Sequence, residues 1–142
     1  MQITRQADYA LRAMLYLAQL ELGQRAATSQ IAAEQHIPPS FLAKIISQLS
    51  IAGLIHTSRG ARGGVSMARS PEDVSVLEVV EAIDGPIALN ECTHGTSSCL
   101  FGENCPLRPL WCDTQNELVE RLRSTNFAQF LKSQTPMTAE MA

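Results

Sequence analysis

All four cysteines of this 142-residue chain lie in one stretch, CTHGTSSCLFGENCPLRPLWC, residues 92–112. The gaps between Cys92, Cys99, Cys105 and Cys112 are six, five and six residues. Structural zinc sites usually pair cysteines about two to four residues apart, so this spacing is too wide for a zinc knuckle. Thiolates on a longer, glycine-containing loop suit a larger inorganic group, and we expect an iron–sulfur cluster.

The four thiols are not expected to be equivalent. Cys105 precedes Pro106, which suits the first turn of a helix, and the positive end of a helix favours a thiolate. Cys112 would lie about two turns into that helix, and we interpret it as buried and inert. With three good ligands a cubane cluster lacks a fourth, and His94 lies only two residues from Cys92. A structural zinc site and disulfide bonds remain alternatives.

Charge divides the chain into two unlike halves. Residues 1–70 carry seven Lys/Arg against three Asp/Glu, whereas residues 71–142 carry four against eleven. A basic half is expected where a protein meets phosphates, although scattered solvated charges would give the same count. No apolar run is long enough to cross a membrane, and the polar N-terminus does not resemble a signal peptide. We therefore expect a cytoplasmic protein with no membrane partner, in a compartment where clustered cysteines favour metal or redox chemistry.

Apolar periodicity predicts the elements that position these groups. We expect a β-hairpin over residues 54–68 and helices over 4–22, 28–35 with Thr28 as N-cap, 39–52, 74–84, 106–124 and 127–132. The long helix carries an apolar seam at Leu107, Leu110, Trp111, Leu118 and Leu122.

The first 68 residues follow the order of a winged helix-turn-helix, with three helices and then a hairpin. The outward face of the third helix carries short polar and basic side chains suited to phosphates and base edges, at Ser40, Lys44, Ser47 and Gln48. In the hairpin SRGARGG, Arg59 and Arg62 flank a glycine-rich turn that could enter a narrow minor groove. No nucleotide-binding glycine motif is present, and the alternative is a hairpin with solvated arginines. The pattern predicts binding to double-stranded DNA.

The sequence resembles the IscR/NsrR/RirA family of bacterial winged-helix iron–sulfur transcription regulators. The resemblance covers Met1 to about Leu131 and rests on ITRQADYALRAMLYLA, SFLAKIISQL-x-x-AGL, SRGARGGV and three cysteines at this spacing followed by PL. It implies a homodimer, paired through the long helix at the apolar seam named above, that binds a palindromic operator. It also implies that Cys92, Cys99 and Cys105 are cluster ligands.

The ligand pattern is closest to that of NsrR-like members. These have an aspartate near the N-terminus that completes a [4Fe-4S] cluster in the partner subunit, and Asp8 stands at the matching place, with Arg12 one turn later. IscR-like members instead have a histidine after the third cysteine and a glutamate in the third helix. Here that stretch reads PLRPLW and the matching helix position is Ala43. We therefore favour [4Fe-4S] over [2Fe-2S].

These observations predict a mainly α fold: a winged helix-turn-helix with a two-stranded wing and a long C-terminal dimerisation helix. The expected divisions are a DNA-binding domain (1–85), a cluster-binding loop (86–105), the dimerisation helix with a short last helix (106–132) and a disordered tail (133–142). The expected function is a dimeric transcriptional repressor controlled by a cluster that senses nitric oxide, oxygen, redox state or iron. A winged-helix protein with structural zinc and a ferredoxin-like electron carrier are the alternatives. No nucleophile–base constellation indicates an enzyme or a small-molecule substrate.

Overall fold

The computed structural model describes residues 2–21, 23–93 and 99–131. Within them the helices are α1 (Arg5–Ala18), α2 (Thr28–Glu34), α3 (Pro39–Ile51), α4 (Val76–Asp84), α5 (Arg108–Arg123) and α6 (Ala128–Leu131). The strands are β1 (Ile55–Ser58) and β2 (Gly64–Met67), and three 3₁₀ turns cover Pro71–Asp73, Glu91–Thr93 and Gly102–Asn104. The predicted mainly α fold with a two-stranded wing is confirmed.

The core forms where α1 packs against α3 and α4. Ala7, Ala10 and Ala13 of α1 are completely buried, and their small side chains let the neighbouring helices approach closely. The predicted stripe of α3 is buried in full: Leu42, Ile45, Ile46 and Leu49. Phe127, just before α6, closes this core at 1% exposure.

The first helix is shorter than its pattern indicated. It ends at Ala18 instead of near residue 22, because the N–H groups of Gln19 and Leu20 bond to the carbonyls three residues earlier, at 3.2 Å each. Such tighter bonds close a last helical turn. Leu22, predicted as the last apolar position, lies outside the described residues.

The start of α1 is held by side chains. The Thr4 hydroxyl oxygen accepts the Ala7 N–H at 3.1 Å, which caps the helix. The same hydroxyl donates to Asp84 at the end of α4, and the Thr4 N–H donates to the other Asp84 oxygen at 3.3 Å. The carboxylate of Asp84 therefore ties the N-terminal turn of α1 to α4.

The wing is an antiparallel pair in which Ile55 faces Met67 and Ser58 faces Gly64. Ala26 pairs with Val65 on the other side, and their N–H groups donate to each other's carbonyls at 3.0 and 2.8 Å. The hairpin predicted over 54–68 is confirmed, and its root is fixed to the segment before α2.

The starts of α2 and α5 differ from expectation. Ala27, not Thr28, is the N-cap of α2, and no side chain bonds there. Helix α5 begins at Arg108 with Pro109 in its first turn, so Pro106 lies outside it. The Arg108 N–H donates to the Cys105 carbonyl at 3.2 Å, which makes residues 105–108 a turn ahead of the helix.

The fourth helix starts at Val76 instead of Val74 because Ser75 is its cap. The Ser75 hydroxyl accepts the Glu78 N–H at 3.1 Å, and the Glu78 carboxylate accepts the Ser75 N–H at 3.0 Å. This capping box fixes the start of the helix.

Helices α5 and α6 both pack onto the rest of the chain. Leu118, Val119 and Leu122 of α5 pack against apolar residues of α4 and the segment after it: Leu77, Val80 and Ile87. The predicted short helix 127–132 is present as α6. Lys132 and the predicted tail, 133–142, lie outside the described residues, and the predicted domain boundaries stay predictions. Within the described ranges no helix is long and apolar enough to cross a membrane.

Candidate DNA-binding surface and cysteine site

The outer face of α3 is polar and open. Ser40, Lys44 and Ser47 are exposed, as is Ala43 between them. Since these positions are three or four residues apart, their side chains share one face of the helix. Gln48 differs, because its side-chain oxygen is buried and has no hydrogen-bond partner among the described residues. The face that α3 offers to a ligand is therefore centred on Ser40, Lys44 and Ser47.

The turn of the wing carries two arginines. Arg59 and Arg62 are both exposed in the turn between β1 and β2. A Cβ on Gly63 would lie 2.3 Å from the Ser58 carbonyl oxygen, so this tight turn accepts only glycine there. The turn thus presents two guanidinium groups on a narrow projection, which is the shape and charge that a DNA groove accepts.

Cys92, Cys99 and Cys105 lie on the segments that lead into α5, and Cys112 lies within the helix. Cys92 is 8% exposed in the 3₁₀ turn Glu91–Thr93, whereas Cys99 and Cys105 are half-buried. Arg108 joins two of these segments: its backbone N–H donates to the Cys105 carbonyl at 3.2 Å and its Nε donates to the Cys92 carbonyl at 3.4 Å. The backbones of Cys92 and Cys105 are therefore held near the same residue.

The donor set fits an iron–sulfur cluster by its chemistry. Three thiolates are soft ligands that favour zinc or iron–sulfur groups over hard cations. In the described parts of the chain no three His, Cys, Asp or Glu side chains converge closely enough to hold a metal ion. His94 lies outside the described residues. A single copy of the described chain thus brings donor-bearing segments together without forming a closed site.

Asp8 lies in the first turn of α1 and is half-exposed. Its carboxylate pairs with Arg12 at 3.1 Å, and both side chains are close to half-exposed, at 50% and 44%. An ion pair this open contributes little to stability, so the carboxylate is available to other partners. Its neighbour Tyr9 contacts Phe41 near the start of α3, with ring centroids 6.2 Å apart.

The predicted dimer seam divides in the structure. Leu107 and Leu110 are 57% and 54% exposed, and Trp111 is half-buried. Leu118 and Leu122 face α4 of the same chain instead. Leu100 and Phe101, which the sequence reasoning did not single out, are 102% and 74% exposed just ahead of α5.

Two further polar contacts were also missed from the sequence. Besides Arg108, Gln115 bonds to the segment before the cysteines: its Oε1 accepts the Leu89 N–H at 2.9 Å. Nothing in the local pattern marks these residues, because each acts across 16 to 26 positions of chain.

Comparison with known proteins identifies this architecture. A family model described as an iron-dependent transcriptional regulator, Rrf2, matches residues 3–133. The chain belongs to the Rrf2 family. It is 34% identical over 109 residues to the regulator NsrR of Halalkalibacterium halodurans, covering 76% of this chain and 75% of that one.

Solved structures of Rrf2-like regulators show the same fold. IscR of T. potens superposes with a TM-score of 0.76 at 25% identity, covering all of this chain and 93% of that one. CymR, the global cysteine regulator of B. subtilis, has a TM-score of 0.81 at 23% identity and covers 95% and 99%. As an Rrf2-family member the chain is a transcription regulator with a DNA-binding winged-helix fold, not an enzyme.

Proposed function

We propose that this Rrf2 chain is a homodimeric transcriptional repressor whose affinity for a palindromic operator depends on a bound iron–sulfur cluster, [4Fe-4S] in preference to [2Fe-2S]. The similarity to NsrR and IscR supports a cluster. The observation that carries the proposal is the contact between Tyr9 and Phe41, because it joins the helix turn of Asp8 directly to the start of α3.

DNA would be read by α3 and the wing. Ser40, Lys44 and Ser47 offer hydroxyl and ammonium donors to phosphates and base edges. Gln48 would have to turn its amide outward to take part, and its buried oxygen gives it a reason to do so. Arg59 and Arg62 would add two cationic contacts from the wing.

The cluster would be held by the thiolates of Cys92, Cys99 and Cys105, with Asp8 of the partner subunit as the fourth ligand. When bound, it supplies a group that reacts with nitric oxide or oxygen and that is lost when iron is scarce. Arg108 positions the backbones of Cys92 and Cys105 for this role. Cys112 is not a ligand in this proposal.

The position of Asp8 in the first turn of α1 would let it bind the cluster and also change the placement of α3. In the free chain it pairs with Arg12, an exposed contact that is easily exchanged. A ligand bond would instead fix the first turn of α1, which packs on α3 through the core and through Tyr9. Fixing or releasing that turn would change the placement of α3 on DNA. A switch from mostly bound to mostly free needs a difference of about 5.5 kcal/mol between the two states.

Dimerisation would bury the apolar side chains that the single chain leaves in solvent. Leu107 and Leu110 at the start of α5 are half-exposed or more. Exposed leucines at one helix end, beside the exposed Leu100 and Phe101, favour an association surface there. Leu118 and Leu122, which already pack on α4, would contribute less than the seam predicted.

Native mass spectrometry of anaerobically purified protein tests this proposal. We expect a dimer that carries iron and sulfide, and loss of the group in Cys99→Ser but not in Cys112→Ser. Asp8→Ala should weaken or convert the cluster while leaving the dimer intact. A colourless protein that carries zinc, or equal cluster content in all variants, would overturn it.

A further inference from the structure

The sequence predicts that Cys112 is an inert thiol, yet the structure places it on the side of α5 that packs against the rest of the chain. Arg108, Cys112, Gln115 and Val119 are spaced by three or four residues, so they line one side of the helix. Val119 packs against apolar residues of α4 and of the segment after it. The side of α5 that carries Cys112 therefore faces the protein, in keeping with the half-buried state of this residue.

The partner of that face is the segment that carries Cys92. Arg108, one turn before Cys112, donates to the Cys92 carbonyl at 3.4 Å. Gln115, one turn after, accepts the Leu89 N–H at 2.9 Å. Residues 89–92 therefore run along α5 in the opposite direction, and the two hydrogen bonds bracket Cys112.

The burial of Cys92 also indicates that its segment packs against α5. The turn Glu91–Thr93 packs chiefly against α5, and Cys92 within it is 8% exposed. The helix that packs against the turn of Cys92 thus carries Cys112 between the two anchoring contacts. Cys99, by contrast, follows residues 94–98, and no hydrogen bond joins it to α5 in the described part of the chain.

We propose that Cys92 and Cys112 are a redox pair, which a hydroperoxide converts to an intramolecular disulfide when Cys92 holds no other ligand. Cys112 is the more exposed of the two and reacts first: its sulfur attacks the peroxide, forming a sulfenic acid and releasing water, or an alcohol from an organic peroxide. The thiol of Cys92 then displaces the sulfenic hydroxyl, which leaves as water with the thiol proton. The two thiols lose two electrons, and these reduce the peroxide O–O bond.

The disulfide would also bear on the proposed cluster, and this part of the inference rests on the proposed function. A Cys92 that is bonded to Cys112 is no longer a thiolate ligand. The oxidised chain could not be loaded again until a thiol reductant reopened the bond. The disulfide would therefore persist after peroxide exposure, even when the cluster has been lost.

Two matched double variants of the cluster-free protein test the pairing. Cys99→Ser with Cys105→Ser leaves Cys92 and Cys112, whereas Cys92→Ser with Cys105→Ser leaves Cys99 and Cys112. Each is treated with hydrogen peroxide, the remaining thiols are alkylated, and intact mass is followed without reductant. With dimedone present to trap unresolved sulfenic acid, we expect the ratio of disulfide to trapped adduct to be at least about tenfold higher in the first variant. The reason is that two hydrogen bonds hold residues 89–92 along α5 and raise the effective concentration of Cys92 beside Cys112.

The wild-type chain gives an independent readout. A protease that cleaves after Leu107, Leu110 and Trp111 separates Cys105 from Cys112, and fragmentation of the peptide 90–100 joined to Cys112 shows whether Cys92 or Cys99 holds the bond. Equal ratios of disulfide to trapped adduct in the two variants, a Cys112 that stays alkylatable while Cys92 pairs elsewhere, or covalent dimers as the main product would each overturn the pairing. A chain that forms this disulfide but never binds a cluster would contradict the proposed function and leave the pairing intact.

Discussion

Gly64 allows a sharp test of how the wing is held. Its φ of +149° is one that residues with a side chain rarely adopt, and a Cβ there would lie 2.7 Å from the Ala26 carbonyl oxygen. That oxygen accepts the Val65 N–H at 2.8 Å, and Ala26 donates back to Val65 at 3.0 Å. In Gly64→Ala the chain must either accept the collision or give up this bridge.

The magnitude follows from a matched control. At Gly60 φ is also positive, +100°, but a Cβ would meet nothing within 4 Å. Both alanine variants carry backbone strain of about 1–3 kcal/mol, and only Gly64→Ala also loses two hydrogen bonds of about 1 kcal/mol each. We therefore expect Gly64→Ala to lower the free energy of unfolding by about 2 kcal/mol more than Gly60→Ala does.

Urea denaturation followed by circular dichroism measures this difference. The slope of free energy against urea should match between the variants, so that the midpoint reports stability. If the wing opens locally instead, operator affinity should fall in Gly64→Ala before global stability does. Variants that agree within about 0.5 kcal/mol in stability and bind operator equally would refute the role given to the Ala26–Val65 bridge.

Three further predictions concern charge, pH and aromatic contact. Arg62→Ala should weaken DNA binding for all sequences and reduce the slope of log affinity against log salt by about one, whereas Arg121→Ala, on the acidic half, should leave the slope unchanged; equal slopes would contradict a wing contact. Burial raises the pKa of Glu78, but hydrogen bonds from its capping partner and a nearby arginine outweigh this and lower the pKa below the usual glutamate value. The Glu78 carboxylate therefore stabilises the fold fully above the usual glutamate pKa, and this stabilisation is lost as pH falls through the lower pKa of the folded state. Glu78→Gln should reduce the loss of stability in acid, measured by melting at several pH values. An unchanged profile would count against the capping box. Tyr9→Leu and Phe41→Leu should show a coupling of about 0.5–1.5 kcal/mol in a double-mutant cycle of unfolding free energy. Strict additivity would mean that this contact does not link α1 to α3 in the proposed regulation.

The sequence was most informative where a pattern repeats locally. The apolar stripe of α3 has a helical period, and its four positions are the ones buried. The wing could be predicted because three glycines, at 60, 63 and 64, lie between and just after its two arginines. Both signals depend on neighbours within a few residues, which is the range over which backbone preferences act.

Helix starts and the partners of apolar faces were harder to predict. Pro106 and Pro109 both suit a first turn, and the backbone bond from Arg108 to Cys105 decides between them. The seam of α5 was assigned to a second subunit, yet Leu118 and Leu122 pack on α4. Periodicity shows that a face is apolar but not what covers it.

The role of Cys112 depended on contacts that no sequence window contains. Arg108 reaches Cys92 and Gln115 reaches Leu89 only after α5 has packed against the segment before it. From its position alone Cys112 was predicted to be buried and inert, whereas the structure leaves it half-buried. The contacts on either side of it hold the segment of Cys92 along the same face of α5.

The most direct test of the proposed regulation is the operator affinity of one protein preparation before and after cluster removal. Anaerobically purified protein is titrated with labelled operator DNA, then stripped by a chelator and oxidant, reduced with a thiol and titrated again at the same salt concentration. We predict that the cluster-free protein binds roughly 10²- to 10⁴-fold more weakly, and that Cys112→Ser shows the same loss. Equal affinities for the two forms of the wild-type protein would contradict cluster-controlled DNA binding.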